Sequence, residues 1–326
     1  MKRRPFLAGA AAAFAALAGL PTRAFSADYP DKPIRLVVPF GAGGVADLTA
    51  RTVGQALGQR LGQSVVVDNR PGAGGVVAGD MVAKAAPDGY TLLLVSNGTA
   101  VSEGLFKRLP FDSRKDFAPI SLLGQFDLAL VVPETSRFKT LQQLLDAARQ
   151  QPGKLNIGTV NVGSTQNLSA ELLKQAAKVD VQVVPFNGTP AVITALRGGQ
   201  IDAAVEILSP LMPQIKAQSV RALAVLGDTR SPLLPQLPTA AEGAGLKGFS
   251  VTSWNGLAAP AKTPAAIVAR LARETQQVLD SAAVKKQLAD LNVQARASSP
   301  EQLATLLDTE IKRWSDVIAR AGIPRQ

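Results

Sequence analysis

The 326-residue sequence contains no cysteine and no histidine. It therefore has no thiolate nucleophile, no imidazole base, no disulfide framework and no nitrogen–sulfur site for zinc or copper. Any catalysis would have to use carboxylate, hydroxyl or lysine groups. Aromatic residues are also scarce, at 5%, and they do not alternate with basic residues in the way that favours stacking on nucleic-acid bases.

Charged residues make up only 18% of the chain, against 46% hydrophobic residues, which indicates a folded protein with a large core. The formal net charge is +10, but lysine and arginine are scattered rather than clustered. We therefore expect no nucleic-acid partner. The length exceeds that of an average domain and favours two lobes.

Residues 1–26 are typical of an export signal. A basic start, MKRRPF, precedes a short apolar stretch, and Ala24-Phe25-Ser26 supplies small residues for cleavage. Arg3-Arg4 also fits a twin-arginine signal, so two export routes remain open, general secretion and the twin-arginine pathway. The predicted mature chain is periplasmic and has a charge of about +6.

Beyond this segment, apolar runs alternate with amphipathic stretches, which predicts an α/β fold with parallel strands. The predicted strands are 34–40, 64–69, 90–96, 128–133, 154–160, 181–186, 201–207 and 220–227. Helices are predicted at 45–61, 169–178, 189–199, 265–288 and 302–322, with Thr189 as an N-cap and a Ser299–Gln302 capping box.

The stretch VVPFGAGGVADL, residues 37–48, joins a strand to a helix through glycines. Gly41 to Ala46 matches the pattern G-x-G-x-x-A of dinucleotide-binding turns, and Asp68 lies where such folds keep a ribose-binding acid. Phe40 would point into the pyrophosphate space, however, and GAGGV recurs at 72–76, where a dinucleotide fold has no use for it. We interpret 41–45 and 72–76 as two strand-to-helix turns of the same type.

A small anion requires fewer binding groups than a dinucleotide does. Free N–H groups at a helix start can bind a carboxylate without a cationic side chain. Gly43 and Gly44 offer such groups, and Gly163, Ser164 and Thr165 offer a second set. Each turn alone is better explained by a capped helix, but two of them suit a ligand held in a cleft. Asp47 has two open interpretations, since it could complement the helix dipole or accept a hydrogen bond from a ligand.

The chain resembles the tripartite tricarboxylate transporter substrate-binding proteins, also called the Bug family, in several ordered motifs. These include PFGAGG (39–44), NRPGAGG (69–75), APDGYTLLLVSNGT (86–99), VGSTQNLSAELL (162–173), GGQIDAA (198–204) and SWNGLAAPAKTP (253–264). The resemblance implies a type II periplasmic binding protein fold, with two α/β lobes joined by two crossing strands. The implied boundaries are 27–126 plus 250–326 for the first lobe and 127–249 for the second.

By that resemblance the ligand is a small carboxylate held in the cleft between the lobes. The expected ligand-binding residues are Phe40, Ala42, Gly43, Gly44, Ala46, Asp47, Ser96, Asn97, Val162, Gly163, Ser164, Thr165 and Asn187. Asn167 replaces a histidine common in the family, and Phe186-Asn187-Gly188 replaces Tyr-Lys-Gly, so no single member's ligand is transferred to this chain.

We therefore expect a monomeric, non-enzymatic receptor with no metal or cofactor, which delivers a di- or tricarboxylate, an amino acid or an aromatic acid to a membrane permease. One alternative is a signalling receptor that feeds a sensor kinase. A second alternative, from a different class, is an exported nucleotide-dependent oxidoreductase.

Overall fold

The computed structural model describes residues 29–326, so the predicted signal segment lies outside the described residues. The strands are β1 (Ile34–Val38), β2 (Val65–Asn69), β3 (Thr91–Ser96), β4 (Phe117–Pro133), β5 (Asn156–Val160), β6 (Gln182–Phe186), β7 (Ala203–Ile207), β8 (Val220–Val225), β9 (Thr252–Pro260) and β10 (Gln294–Ala295). They form one sheet in the order β2-β1-β3-β9-β4-β7-β5-β6, and β8 and β10 also pair with β4.

Eleven helices in the same part of the chain flank this sheet. They are α1 (Val45–Leu61), α2 (Val76–Ala83), α3 (Asn97–Leu105), α4 (Leu141–Gln150), α5 (Thr165–Ala177), α6 (Thr189–Arg197), α7 (Leu208–Lys216), α8 (Ala240–Ala244), α9 (Ala265–Asp280), α10 (Ala282–Asp290) and α11 (Pro300–Arg320). The expected α/β class is thus confirmed. Between residues 29 and 326, no helix has both the length and the hydrophobicity needed to cross a membrane.

The inner strands are apolar throughout because helices cover both of their faces. In β3, Leu92 and Leu94 belong to the core formed with α1 and α9, whereas Leu93 and Val95 belong to the core formed with α2 and α11. Successive side chains of a strand point to opposite faces, so a continuous apolar run fills two cores at once.

Strand β4 joins the two halves of the sheet. Its residues from Phe117 to Asp127 pair with β9, and those from Leu128 onward pair with β7 and β8. The chain returns beside this point, where Val251 N–H donates to the Leu226 carbonyl at 2.6 Å. We call the half with β1, β2, β3, β9 and β10 the first lobe, and the half with β5 to β8 the second lobe. The change of partner lies near the implied boundaries, which stay a prediction.

Three local predictions differ from the structure. The strand from Phe117 to Asp127, β9 and β10 were not predicted, because they pair antiparallel with strands remote in sequence. The predicted helix 265–288 breaks at Ser281, whose hydroxyl donates to the Val278 carbonyl and accepts from Val284 N–H. The prediction of Thr189 as an N-cap is wrong, because Gly188, with φ 90°, is the cap and Thr189 is the first helical residue.

Candidate functional site

A cleft of about 990 Å³ opens at the carboxyl ends of the parallel strands and is lined by both lobes. Its first-lobe wall contains the turns after β1 and β2, the start of α3, and β9. Its second-lobe wall contains the turn after β5 and the starts of α6 and α7. Ligands bind at this end of open α/β sheets, because there the strand-to-helix turns converge.

The turn after β1 is held in shape by Asp47. Gly43 has φ 84°, in the left-handed region that favours glycine, and Gly44 begins α1 without a side chain to cap it. The Asp47 carboxylate accepts from Gly43 N–H at 2.8 Å, from Asn69 Nδ2 at 2.9 Å and from Arg51 Nε at 3.0 Å. Asp47 is only 1% exposed and lies behind the cleft wall. These contacts favour a structural role over a ligand contact.

The protonation of Asp47 agrees with that role. Burial alone would raise the pKa of this carboxyl group, but the hydrogen bonds from Arg51, Gly43 and Asn69, together with the Arg51 charge, outweigh it. The pKa of Asp47 is therefore lowered, and the group is ionised at neutral pH.

The turn after β5 repeats this arrangement in the second lobe. Gly163 has φ 79°, and its N–H donates to Asn167 Oδ1 at 3.1 Å, as Gly43 N–H donates to Asp47. In both turns, the accepting side chain is the third residue of the following helix. Ser164 caps α5 by accepting from Asn167 N–H at 3.1 Å. The prediction that the N–H groups of Gly43 and Gly163 are free is thus wrong, because each donates to a side chain of its own turn. The two lobes nevertheless present matching helix starts to one cleft.

The second GAGGV segment is not the counterpart of the first. Residues 72–76 do lead from β2 to α2, but through a 3-10 turn in which Gly74 and Gly75 have φ 62° and 97°. The interpretation of the two GAGGV segments as turns of one type is wrong, because the same five residues adopt different backbone conformations in the two places. The turn that matches the first in geometry is Gly163 to Asn167, although its sequence differs from that of Gly43 to Asp47.

Most of the predicted site residues lie on the cleft. The structure brings together Phe40, Gly43, Gly44, Ala46, Ser96, Asn97, Val162, Gly163, Ser164 and Thr165. Ala42 is exposed in the first turn outside the cleft lining, and Asn187 is exposed just before α6, where Thr189 lines the cleft instead.

Asn97 lies on the cleft with its amide already engaged. Its Oδ1 accepts from Trp254 N–H at 2.9 Å and from the Ser253 hydroxyl at 3.3 Å, and its Nδ2 donates to Glu310 at 3.3 Å. Burial raises the pKa of Glu310, which the nearby Arg313 charge partly offsets. Asn97 therefore connects α3, β9 and α11, and its side chain has little capacity left for a ligand.

Several polar residues of the cleft were not predicted as site residues. They include Gln166, Thr189, Ser209, Ser253 and Asn255. Asn255 lies in the motif SWNGLAAPAKTP, where a polar asparagine in an otherwise apolar, buried strand was a usable signal. Asn255 is 1% exposed, and its Nδ2 has no hydrogen-bond partner among residues 29–326.

Among residues 29–326, no lysine or arginine lines the cleft, and Asp290 is the one charged side chain of the lining. Its hydrogen-bond donors are backbone N–H groups, hydroxyls and amides at the starts of α1, α3, α5, α6 and α7 and on β9. Helix N-termini carry a partial positive charge, so this set suits an anion. Residues 29–326 contain no group of three or more side chains placed to hold a metal ion.

Glu206 lies beside the cleft and is fully buried. Its Oε1 accepts from Gln166 Nε2 and from Ile207 N–H, both at 2.7 Å, and both of these residues line the cleft. Burial raises the pKa of Glu206, and these hydrogen bonds offset only part of the effect. Glu206 therefore ionises less readily than an exposed glutamate does.

Asp68, the residue placed as a ribose-binding acid in the dinucleotide interpretation, is paired elsewhere. Its carboxylate accepts from Arg35 Nε at 2.7 Å and from Arg70 Nε at 3.1 Å, and Asp68 is not part of the cleft lining. Burial raises the pKa of Asp68, but the two arginines outweigh this and lower it overall. The dinucleotide interpretation thus loses the acid on which it depended.

The sequence profile of the tripartite tricarboxylate transporter family receptor matches residues 49–323. Protein BugT of Bordetella pertussis is 33% identical over 95% of this chain and 95% of its own length. Two solved structures from Rhodopseudomonas palustris are also similar. Rpa4515 with adipate is 33% identical, with a TM-score of 0.79 over 90% of this chain and 99% of that one. MatC with bound malate is 36% identical, with a TM-score of 0.75 over 89% of this chain and 100% of that one.

Proposed function

The chain belongs to the tripartite tricarboxylate transporter receptor family, and we propose that it is a periplasmic receptor that captures a small organic anion in the cleft between its lobes. The observation that carries this proposal is the pair of matching turns. Gly43 with Asp47 in one lobe and Gly163 with Asn167 in the other each set a helix start toward the same cleft.

The chemistry of the cleft supports a carboxylate ligand. Backbone N–H groups at the starts of α1 and α5 are short of acceptors, since the first turn of a helix has no intrahelical partners. A carboxylate can accept from several of them at once, and the helix dipoles stabilise its charge. The adipate and malate of the two similar structures are dicarboxylates, which fits the same class.

We propose that ligand-binding residues include Phe40, Gly43, Gly44, Ala46, Val162, Gly163, Ser164 and Thr165. The remaining predicted residues, Ala42, Asp47, Ser96, Asn97 and Asn187, act in this proposal by shaping the turns and walls around them.

Closure of the lobes on the ligand is the proposed signal to a partner. A Cβ atom on Gly163 would lie 2.6 Å from Leu105 Cδ2 of the first lobe, which supports a close approach of the two walls. A ligand that contacts both lobes binds the closed state more tightly than the open state, and this difference in binding free energy favours closure. We propose delivery to a membrane permease by a monomeric, exported protein that forms or breaks no covalent bond, with a sensor kinase as the alternative partner.

The test is a thermal-shift screen of purified protein lacking residues 1–26. The probes are adipate, malate, citrate, glutamate, benzoate and hexanoate, with 1,6-diaminohexane as a cationic control of similar length. A ligand present at 100 times its Kd stabilises the folded state by about 2.7 kcal/mol. For a chain of this size, that raises Tm by about 4 °C.

We expect at least one carboxylate to raise Tm and the diamine to have no effect. Isothermal titration calorimetry then measures the Kd. The proposal is refuted if no carboxylate in the panel raises Tm, or if NADH binds saturably in a fluorescence titration.

A further inference from the structure

Asn255 differs from the other buried asparagines at the cleft. Asn97 uses both ends of its amide, and Asn167 accepts from Gly163 N–H and donates to Thr159 Oγ1 at 3.2 Å. Asn255 is equally buried and lines the cleft, yet its Nδ2 has no hydrogen-bond partner in the described chain. A buried donor without an acceptor destabilises a protein, so such a group at a cleft points to a ligand.

The position of Asn255 is fixed by the central strands. It lies on β9 opposite Ser96 of β3 and Gly124 of β4, at the base of the cleft near the point where β4 changes partners. Phe126, next to that point, also lines the cleft. A hydrogen bond is stronger in such a buried, partly apolar place than in water.

The carboxamide of Asn255 can direct either Nδ2 or Oδ1 toward the cleft. Rotation by half a turn about χ2 exchanges Nδ2 and Oδ1, and the two arrangements are of similar energy for this terminal torsion. A carboxylate group brings only acceptors and therefore selects the donor end, and the oxygen of a hydroxyl group can accept from the same end.

We propose that Asn255 determines ligand specificity by donating a hydrogen bond from Nδ2 to a second oxygen acceptor of a carboxylate ligand. The first carboxylate lies at the starts of α1 and α5, as in the proposed function, on which this inference rests. The ligand class is then a carboxylic acid with a second carboxylate or a hydroxyl group, in preference to a monocarboxylate with a plain hydrocarbon chain.

The substitution Asn255→Leu removes the donor with little change of volume. Replacing a buried, unpaired polar group with an apolar group of similar shape is neutral or stabilising. The Tm of the ligand-free variant is therefore expected to equal or exceed that of the wild type. A merely structural asparagine would give the opposite result, a lower Tm.

Calorimetric titrations with the pairs adipate and hexanoate, and malate and butyrate, measure the specificity. We expect the wild type to bind the member with the second acceptor more tightly. Asn255→Leu should weaken binding of that member about 10- to 100-fold, the range for a hydrogen bond to a charged group, and change binding of the monocarboxylate less than about 3-fold. Asn255→Asp, nearly isosteric, should also weaken the diacid, because it places like charges together.

Asn156→Leu is the matched control, since Asn156 begins β5 at the end of the strand away from the cleft. It should leave both affinities unchanged. If neither pair and no acid of the thermal-shift panel binds the wild type, the proposed function fails and this inference fails with it. If an acid binds but the wild type prefers the monocarboxylate, or both Asn255 variants keep the wild-type preference, only this inference is overturned.

Discussion

Removal of the Asp47 carboxylate is expected to loosen the first turn and to destabilise the whole protein. The carboxylate accepts three hydrogen bonds, from Gly43 N–H, Asn69 Nδ2 and Arg51 Nε. A hydrogen bond to a charged group contributes about 1.5–3 kcal/mol. Arg51 is half exposed, so its ion pair adds only about 0–1 kcal/mol. Water can replace the acceptor at the exposed Gly43 N–H, and we therefore expect D47A to lower the free energy of unfolding by about 2 kcal/mol.

The isosteric variant D47N separates shape from charge. It resembles Asn167 of the second turn, and its Oδ1 can still accept from the glycine N–H. Gly43 N–H and Arg51 Nε donate to the same carboxylate oxygen, so an amide oxygen in that place keeps both hydrogen bonds. The Nδ2 group would instead face the Asn69 donor, so that hydrogen bond is lost. We expect D47N to lose about half as much stability as D47A, roughly 1 kcal/mol.

The effect depends on pH in a defined direction. The pKa of Asp47 is lowered in the folded protein, so its contribution to stability is present above the ordinary aspartate pKa of about 3.9. The contribution disappears as the pH falls through the folded-state pKa. The difference in stability between the wild type and D47N should therefore be full at pH 7 and shrink below about pH 4.

Thermal unfolding followed by circular dichroism measures the stability, and calorimetry with a bound carboxylate measures the affinity. A loss of 2 kcal/mol corresponds to a decrease of about 3 °C in Tm for a chain of this size. The affinity for the ligand should decrease together with the stability, because Gly43 N–H loses the acceptor that holds the turn in shape. If D47A keeps the wild-type Tm within about 1 °C but loses binding, Asp47 contacts the ligand directly and the reasoning is refuted.

Three further predictions concern neighbouring residues. Gly43→Ala meets no atom within 4 Å but forces φ 84° on a residue with a Cβ, so it should cost about 1–2 kcal/mol in chemical denaturation, while Gly43→Val should abolish the ligand-induced rise in Tm. Gly163→Ala should weaken ligand binding in calorimetry because its Cβ meets Leu105, and Leu105→Ala should restore part of the affinity; no restoration would argue against contact between the walls. The pKa of Glu206 is raised by burial, so its ionisation costs stability, and the Tm of Glu206→Gln should gain on the wild type as the pH rises above about 4.5; a constant difference from pH 4 to pH 8 would contradict this.

Local patterns predicted much of the fold. Helix α1 has the predicted bounds, and the Ser299–Gln302 capping box is confirmed, because both depend on residues within a few positions of one another. The strand from Phe117 to Asp127 and β9 were missed, because their register is set by pairing across more than 120 residues. The break at Ser281 was missed since a serine within a helix pattern gives no firm signal until its hydroxyl finds the Val278 carbonyl.

The candidate site divides in the same way. Ten of the thirteen predicted site residues line the cleft. Eight of these ten lie in glycine turns after buried strands, and Ser96 and Asn97 lie at the end of β3, because parallel strands end at one edge of a sheet. Sequence identity alone did not identify the turn that shares the geometry of the first turn. GAGGV recurs at 72–76, but the turn that repeats its geometry is Gly163 to Asn167.

The sequence by itself determined where strands end, where glycines permit a left-handed backbone, and which chemistries the missing residue types exclude. These properties depend on side-chain periodicity and on φ preferences over a few residues. Only the tertiary structure decided that the Asp47 carboxylate hydrogen-bonds within its own turn, and that the buried Nδ2 of Asn255, a residue of the cleft lining, has no partner in the described chain. Whether a buried polar group finds a partner depends on atoms brought together from distant parts of the chain, and no local pattern contains that information.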